Sequence, residues 1–157
     1  SMFYEELSDA LEGVYDLLDK VESTMISTQT LNLSINEIHL LEAIGQGEEA
    51  GTPVGGVAER LSITPASVTV AVNKLEKKGY VTKSKSQADA RVVYVRLTPK
   101  GMSVNRVHRR FHRNMAAGIA EGMTPQEQEV LLRVLGKMNR FLQEKVTQYE
   151  RVKRPGK

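Results

Sequence analysis

The chain of 157 residues contains no cysteine and no hydrophobic run that could cross a membrane. Without thiols it can form no disulfide, offer no thiolate to a metal and carry no thiol-based redox switch. A membrane-spanning helix needs about 20 consecutive apolar residues, and no stretch approaches that length. The first residues are acidic and amphipathic, which is not the pattern of a signal peptide. We therefore expect a soluble cytoplasmic protein.

The motifs of common enzyme chemistries are missing as well. No glycine-rich phosphate-binding loop follows a predicted strand, and no serine stands in a nucleophile-elbow pattern. What is present is a mild basic excess of 22 Lys and Arg over 19 Asp and Glu, which gives a net charge of +3. That charge permits binding to nucleic acid without demonstrating it. The sequence predicts a protein that is not an enzyme and that requires no cofactor.

Hydrophobic spacing predicts a mainly α protein with a small β-wing. Apolar residues recur every three or four positions over residues 3–29, which is the pattern of a long amphipathic helix. A second helix begins after Ser34, where Glu37 completes a capping-box motif. Further helices are predicted after Thr98 and Thr124, because Thr favours the N-cap and the Pro that follows each favours the first turn.

Residues 53–101 form the unit around which the rest of the chain is organised. A short helix ends near Leu61, and after a tight turn a second helix begins with Thr64 at its N-cap and Pro65 in its first turn. Two short strands then form a basic hairpin over residues 80–97. Two helices that meet at a tight turn and are followed by a hairpin are typical of a winged helix-turn-helix DNA reader.

The exposed face of the second helix in this unit is the predicted reading surface. The amide of Asn73 can pair with adenine through both its oxygen and its nitrogen, and Ala66 or Val70 could contact a thymine methyl group. Pro65 brings free helix N–H groups near a phosphate. A solvated helix face, or a surface that binds another protein, would show similar residues, so the interpretation depends on the flanking motifs. The predicted DNA contacts on this helix are Pro65, Ala66, Ser67, Thr69, Val70, Asn73, Lys74 and Lys77.

Several motifs together resemble those of the MarR family of winged-helix transcription regulators. They are Leu-Ser at 33–34, Ile-Thr-Pro-Ala-Ser-Val-Thr at 63–69, Leu-Glu-Lys-Lys-Gly-Tyr-Val at 75–81, Asp-Ala-Arg at 89–91 and Leu-Thr-Pro-Lys-Gly at 97–101. The resemblance covers about residues 3–148. It implies a repressor that binds a pseudo-palindromic operator in double-stranded DNA as a homodimer. Its implied parts are an N-terminal dimerisation helix (1–32), the DNA-binding domain (33–101), C-terminal dimerisation helices (102–150) and a basic tail (151–157).

The predicted wing carries the family's Asp-x-Arg signature as Asp89 and Arg91. The resemblance implies that Arg91 enters the minor groove and that Asp89 braces it by an ion pair. A planar guanidinium suits a narrow, electronegative groove. The family often has Arg where Ala90 stands, so this wing carries one charge fewer. Lys83, Lys85 and Arg96 are the predicted phosphate contacts; the alternative is a hairpin whose charges only face solvent.

Within the family, residues 38–45 and 107–112 resemble the regulators of fatty-acid synthesis found in Firmicutes. That resemblance implies an acyl-chain ligand delivered on acyl carrier protein and acting as a corepressor. His39, Phe111 and Met115 are the residues expected at the ligand site. A methionine or aromatic residue at helical spacing is also common in an ordinary core, and this alternative stays open.

The histidines support a second interpretation. His108 and His112 lie four residues apart on one helix face, as a metal-binding pair would, and His39 lies on the second helix. The zinc-responsive branch of the MarR family has histidines at corresponding places, so a zinc site formed by these three residues is the alternative function. That branch adds a carboxylate from the first helix, where Val21 stands here with Glu22 beside it. The alternative is that the histidines line a ligand pocket or an interface without metal, hydrogen-bonded to Glu22 or Glu42.

Overall fold

The computed structural model describes residues 1–29, 31–47 and 50–153. In chain order the elements are α1 (Met2–Ser27), α2 (Ile35–Gly45), β1 (Thr52–Pro53), α3 (Val54–Leu61), α4 (Pro65–Lys77), β2 (Val81–Lys85), β3 (Val93–Leu97), α5 (Pro99–Ala120) and α6 (Pro125–Lys153). They fall into two compact units, Ser1–Arg110 and Phe111–Lys157. The mainly helical fold with a small β-wing is the predicted one.

The core of the first unit lies among α2, α3, α4 and the sheet. Successive turns of α4 contribute to it, since Val68, Val72 and Leu75 are fully buried on one face. Leu41 of α2 and Val95 of β3 are also fully inaccessible to solvent. This packing fixes which face of α4 points outward, because the apolar stripe cannot leave the core without losing its burial.

The predicted helix starts are confirmed by their capping contacts. Ser34 Oγ accepts from the Glu37 N–H at 3.1 Å, and Glu37 Oε1 accepts from the Ser34 N–H at 3.0 Å. Thr64 Oγ1 accepts from the Ser67 N–H at 3.1 Å at the start of α4. Each contact satisfies an N–H group that the first helical turn leaves without an intrahelical partner. The same capping-box pair, Thr124 with Glu127, opens α6 in the second unit.

The sheet has one strand more than the sequence predicted. Its order is β1-β3-β2, with Thr52 opposite Val95 and Pro53 opposite Tyr94. The two-residue strand β1 is too short to show alternation in the sequence. Pro53, the last residue of β1, is also the N-cap of α3, with φ −60° and ψ 142°.

Two predicted boundaries differ from the structure. Residues 151–153 of the predicted tail belong to α6, and residues 154–157 lie outside the described residues. The boundary proposed between residues 101 and 102 falls inside α5, which begins at Pro99. The acidic, glycine-rich sequence of residues 46–51 predicts an exposed loop, and two of its residues, 48 and 49, also lie outside the described part.

Glycine is required at position 101, where the start of α5 passes close to the chain that follows α4. A Cβ on Gly101 would overlap the carbonyl oxygen of Tyr80. Tyr80 is 1% exposed, and its carbonyl accepts from the Thr98 N–H at 3.0 Å. Gly79, just after α4, has φ +86°, a conformation that costs glycine little and other residues more. The start of α5 is therefore held directly against the chain that leaves α4.

The long helices α1 and α6 are different in kind from the core helices. Neither contains a buried residue within its own unit. Both nevertheless carry rows of large apolar side chains, among them Leu7 and Leu11 of α1 and Leu135 and Phe141 of α6. None of the helices in the described part of the chain combines the length and hydropathy of a membrane span.

Candidate DNA-binding surface and histidine cluster

The outward face of α4 contains all eight residues that the sequence predicted as its DNA contacts. Each of them is exposed, while the opposite face of the helix is buried. Two hydroxyl groups near the start of the helix donate to local acceptors: Thr69 Oγ1 donates to the Pro65 carbonyl at 3.0 Å, and Thr64 Oγ1 donates to the Ser67 hydroxyl oxygen at 2.9 Å. Val70 is 58% exposed and forms the large apolar surface of this face.

Lys83, on strand β2, connects the wing to α4. Its Nζ atom lies 2.5 Å from Asn73 Oδ1 and 3.5 Å from Glu76 Oε1. The Lys83 backbone N–H donates to Glu76 Oε2 at 3.2 Å. The sequence did not predict these contacts, because they join residues on different elements that only the fold brings together. The ammonium predicted as a phosphate contact is thus already bound to two side chains of the recognition helix.

The tip of the wing projects an arginine that is held by a neighbouring carboxylate. Arg91 Nε lies 3.1 Å from Asp89 Oδ1, Nη2 lies 3.2 Å from Oδ2, and the Arg91 backbone N–H donates to Oδ1 at 3.0 Å. The Arg91 hydrogen bonds hold the pKa of Asp89 below its ordinary value. The Arg91 side chain is 91% exposed. The ion pair implied by the resemblance is present, and it orients a guanidinium that is otherwise open to solvent.

A groove of about 480 Å³ lies between α4 and the wing. Pro65 and Thr69 line it from α4, and Lys83 and Arg91 line it from the hairpin. The other two predicted phosphate contacts lie outside this groove. Lys85 is exposed at the end of β2, and Arg96 Nη2 donates to the Ala50 carbonyl at 2.6 Å. The groove therefore presents polar and cationic groups from both parts of the predicted reader.

The histidine cluster is formed by Glu22, His39 and His108 in the first unit. Glu22 Oε1 lies 2.6 Å from His108 Nε2 and 3.1 Å from His39 Nε2. The His108 side chain is 3% exposed and that of Glu22 is 13% exposed, whereas that of His39 is 42% exposed. His108 Nδ1 lies 3.3 Å from Glu42 Oε2. One oxygen of the Glu22 carboxylate thus contacts both imidazoles. The Glu42 carboxylate lies near the other nitrogen of the buried His108 ring.

Burial raises the pKa of Glu22, but the hydrogen bonds and charges of His108 and His39 outweigh burial and leave the pKa lowered. The sequence analysis assigned the carboxylate position of the first helix to Val21 and noted Glu22 as its neighbour. Successive helix residues are rotated by about 100°, so Val21 points away and is 41% exposed. The sequence interpretation that put the carboxylate position at Val21 is wrong.

A cavity of about 510 Å³ adjoins this cluster. Met25 of α1, Ile38 of α2 and Val104 and Val107 of α5 line it together with His108. Its walls are mostly apolar, and they belong to the first unit. His39, which was predicted for the ligand site, also belongs to the first unit. It contacts Glu22 and is not among the residues that line this cavity.

The remaining predicted site residues, Phe111, His112 and Met115, belong to the second unit. There the rings of Phe111 and His112 contact each other edge to face, with 5.4 Å between their centroids. Met115 is half-buried. Their roles in ligand or metal binding stay predictions.

Comparison with known proteins identifies the class to which this surface belongs. Residues 31–92 match the sequence pattern of a family described as "MarR family". These residues include α2 to α4 and the tip of the wing. The structure resembles the crystal structure of Streptococcus pneumoniae FabT in complex with DNA, with a TM-score of 0.84 and 30% sequence identity. That match covers 90% of this chain and 98% of the FabT chain. The chain belongs to the MarR family of winged-helix transcriptional regulators and is a DNA-binding regulator, not an enzyme.

Curated relatives give the same class at lower coverage. The chain is 31% identical to the Bacillus subtilis HTH-type transcriptional regulator YhjH over 80 residues, which are 51% of this chain and 45% of that protein. It is 29% identical to the transcriptional regulator AdcR of S. pneumoniae over 111 residues, which are 69% of this chain and 74% of AdcR. The match to FabT supports the predicted resemblance to the fatty-acid repressor subgroup.

Proposed function

We propose that this protein is a homodimeric repressor that binds a pseudo-palindromic operator through α4 and the wing. The observation that carries the proposal is that the first unit exposes two DNA-binding features together, the outward face of α4 and the tip of the wing. The polar face of α4 is fixed outward by a buried apolar stripe, and Arg91 projects from the wing with Asp89 holding it. Phosphate contacts near the helix start and base contacts along its face suit a major groove, and a guanidinium suits a minor groove.

Dimerisation is supported by the exposed apolar rows of α1 and α6. A helix of 26 residues in which no residue is buried gains little stability unless another surface covers its apolar face. A second copy of the chain is the partner that the family resemblance implies. With two-fold symmetry, the two copies of α4 would read half-sites about one helical turn of DNA apart.

The decisive experiment is operator binding by wild-type protein and by the variant Arg91→Ala over a range of salt concentrations. Wild-type affinity should fall steeply with added salt, because each phosphate contact releases counterions. Arg91→Ala should weaken binding about tenfold, as expected for loss of a hydrogen-bonded charge. Arg151→Ala, which removes an exposed arginine of α6, serves as a control for net charge. Sequence-specific binding that is insensitive to salt, or unchanged affinity in Arg91→Ala, would contradict this function.

For the regulated pathway, we propose fatty-acid biosynthesis with an acyl chain as corepressor. The support is the subgroup resemblance of residues 38–45 and 107–112, the similarity to FabT and the mostly apolar cavity beside His108. The exposed Arg106 and Arg109 of α5 provide cations for an acidic carrier protein. Operator affinity should increase with long-chain acyl carrier protein and should not change with the unacylated carrier. Equal responses to the two forms would argue against an acyl ligand.

The histidine cluster favours a zinc-responsive regulator as the second candidate function. Glu22, His39 and His108 each offer one donor atom, and these atoms lie within 4.8 Å of one another. Two imidazoles and one carboxylate form a donor set that suits zinc, and Glu42 Oε2 lies 3.3 Å from Nδ1, the other ring nitrogen of His108. The residues present therefore fit the metal, which would supply a positive charge that ties α1, α2 and α5 together.

Zinc content and chelation separate the two candidates. A zinc sensor should retain about one zinc per chain after dialysis, and Glu22→Gln should lower that content. Its operator affinity should respond to zinc in wild type and lose this response in Glu22→Gln. A protein that holds no zinc, and whose operator binding ignores chelator, leaves the acyl-chain proposal in place.

A further inference from the structure

We infer that Lys83 is a positioning residue that sets the base preference of Asn73. The inference rests on the proposed function in one respect, which is that α4 reads DNA. Lys83 has so far been considered a phosphate contact. Its observed contacts assign it a different task, which is to engage the acceptor atom of the Asn73 amide, so that the donor atom is the one fully available to DNA.

The orientation of the Asn73 amide follows from the chemistry of its partner. An ammonium group can only donate hydrogen bonds, so the amide atom that faces it must be the oxygen. The distance of 2.5 Å between Lys83 Nζ and Asn73 Oδ1 is that of a short, charge-assisted hydrogen bond. Nδ2, with its two N–H groups, is then the other polar atom of this exposed side chain.

Glu76 keeps Lys83 in this place. One carboxylate oxygen accepts from the Lys83 backbone N–H at 3.2 Å, and the other lies 3.5 Å from Nζ. Because Glu76 is one turn of α4 beyond Asn73, the lysine is held against the helix by two side chains on the same face. Its charge is partly compensated by the carboxylate, which makes it less available to a phosphate than an unpaired lysine.

An asparagine whose amide oxygen is engaged by an ammonium group reads DNA differently from a free one. Bidentate recognition of adenine uses the amide oxygen to accept from N6 and the amide nitrogen to donate to N7. Lys83 takes one of the two acceptor positions of Oδ1 and crowds the oxygen, so Oδ1 is a poorer acceptor for N6, while both N–H groups of Nδ2 remain available. Guanine presents two acceptors, O6 and N7, on the same edge. Both can accept from the N–H groups of the amide, so no donor of the base is left without a partner. The geometry therefore favours guanine over adenine at the base pair that Asn73 contacts.

The test is selection of bound sequences from a randomised operator library by wild type, Asn73→Ala and Lys83→Met. The position that loses its preference in Asn73→Ala identifies the base pair that Asn73 contacts. At that position wild type should prefer guanine over adenine about fivefold or more, on the scale of one hydrogen bond. Lys83→Met releases Oδ1 and should shift the preference toward adenine by a similar factor.

Lys85→Met is the matched control, because it removes the same charge two residues along the same strand. As a phosphate contact, Lys85 should weaken binding to all sequences alike, reduce the salt slope by about one contact and leave the base preference unchanged. Glu76→Gln is a second route to the same result, since it loosens Lys83 without removing it. It should shift the preference in the direction of Lys83→Met, which protects the test against a folding defect in one variant.

Three results would overturn the inference: an adenine preference of wild type at the Asn73 position, no position affected by Asn73→Ala, or a Lys83→Met variant that only weakens binding uniformly as Lys85→Met does. A wild-type selection that enriches no sequence at all would instead overturn the proposed function.

Discussion

At the scale of single residues, Glu37 connects two helices of the first unit. It caps α2 through Ser34, and its two carboxylate oxygens accept from Lys78 Nζ at 3.1 and 3.0 Å. Lys78 Nζ also donates to the Asn32 carbonyl at 2.6 Å. Since Lys78 is the C-cap of α4, this side chain joins the start of α2 to the end of the recognition helix.

The pH dependence of stability should report this ion pair. Burial raises the pKa of Glu37, but hydrogen bonds from Ser34 and Lys78 outweigh burial and leave the folded-state pKa below its ordinary value. The unfolded chain then binds more protons than the folded one as the pH falls, so the contribution is present above the ordinary glutamate pKa and is lost below it. We expect Glu37→Gln to lower the free energy of unfolding at neutral pH by about 1 kcal/mol and to flatten its acid limb. Urea unfolding between neutral and acidic pH measures both effects.

Ser34→Ala is the control for this prediction. It removes the hydroxyl that caps α2 while keeping both the Ser34 backbone N–H and the Lys78 ion pair. It should cost about 1 kcal/mol at neutral pH and keep most of the wild-type acid limb, because the Ser34 hydroxyl is the weakest of the contacts that lower the pKa of Glu37. Equal acid limbs in wild type and Glu37→Gln would show that the ion pair does not couple folding to protonation.

At the scale of secondary-structure elements, α5 offers a direct comparison of two glycines. A Cβ at position 101 would overlap the Tyr80 carbonyl, whereas a Cβ at Gly118 meets no atom within 4 Å. Gly101→Ala should therefore destabilise the protein by about 1 to 3 kcal/mol, because α5 must move from its place against the wing. Gly118→Ala should stabilise it by up to about 1 kcal/mol through helix propensity alone. Urea unfolding of both variants gives the two signs, and a neutral Gly101→Ala would contradict the close packing.

The elements were largely predictable because their signals are local. Thr64, Pro65 and Ser34 mark helix starts through contacts made within three residues, and those predictions are confirmed. The strand β1 was missed because its identity depends on pairing with β3, about 40 residues away. The candidate site depends on distant contacts to a greater degree. Glu22 meets His108 across 86 positions, and no local pattern fixes the rotation of α1 that brings it there.

The same reasoning explains why the sequence did not predict the contact between Lys83 and Asn73 in the DNA-binding surface. Asn73 and Lys83 are ten residues apart, on a helix and a strand, and their individual sequence features favour base and phosphate contacts. Only the packing of β2 beside α4 shows that the two side chains bind each other. Residue types indicate which groups could contact DNA, while tertiary contacts decide which of their atoms are available.

At the scale of the whole molecule, the exposed apolar helices predict that folding and association are coupled. Leu7, Leu11 and Leu18 form one stripe of α1 and are 41 to 46% exposed within the chain. We expect wild type to sediment as a dimer of the 17.5 kDa chain and its Tm to rise with protein concentration. Leu11→Asp should yield monomer, lower the Tm and weaken operator binding, because a charge would be buried in the interface. Ile63→Asp, at a 44% exposed position in the turn before α4, should stay dimeric. Sedimentation of a Leu11→Asp dimer as tight as wild type would exclude this stripe from the interface and direct attention to α6.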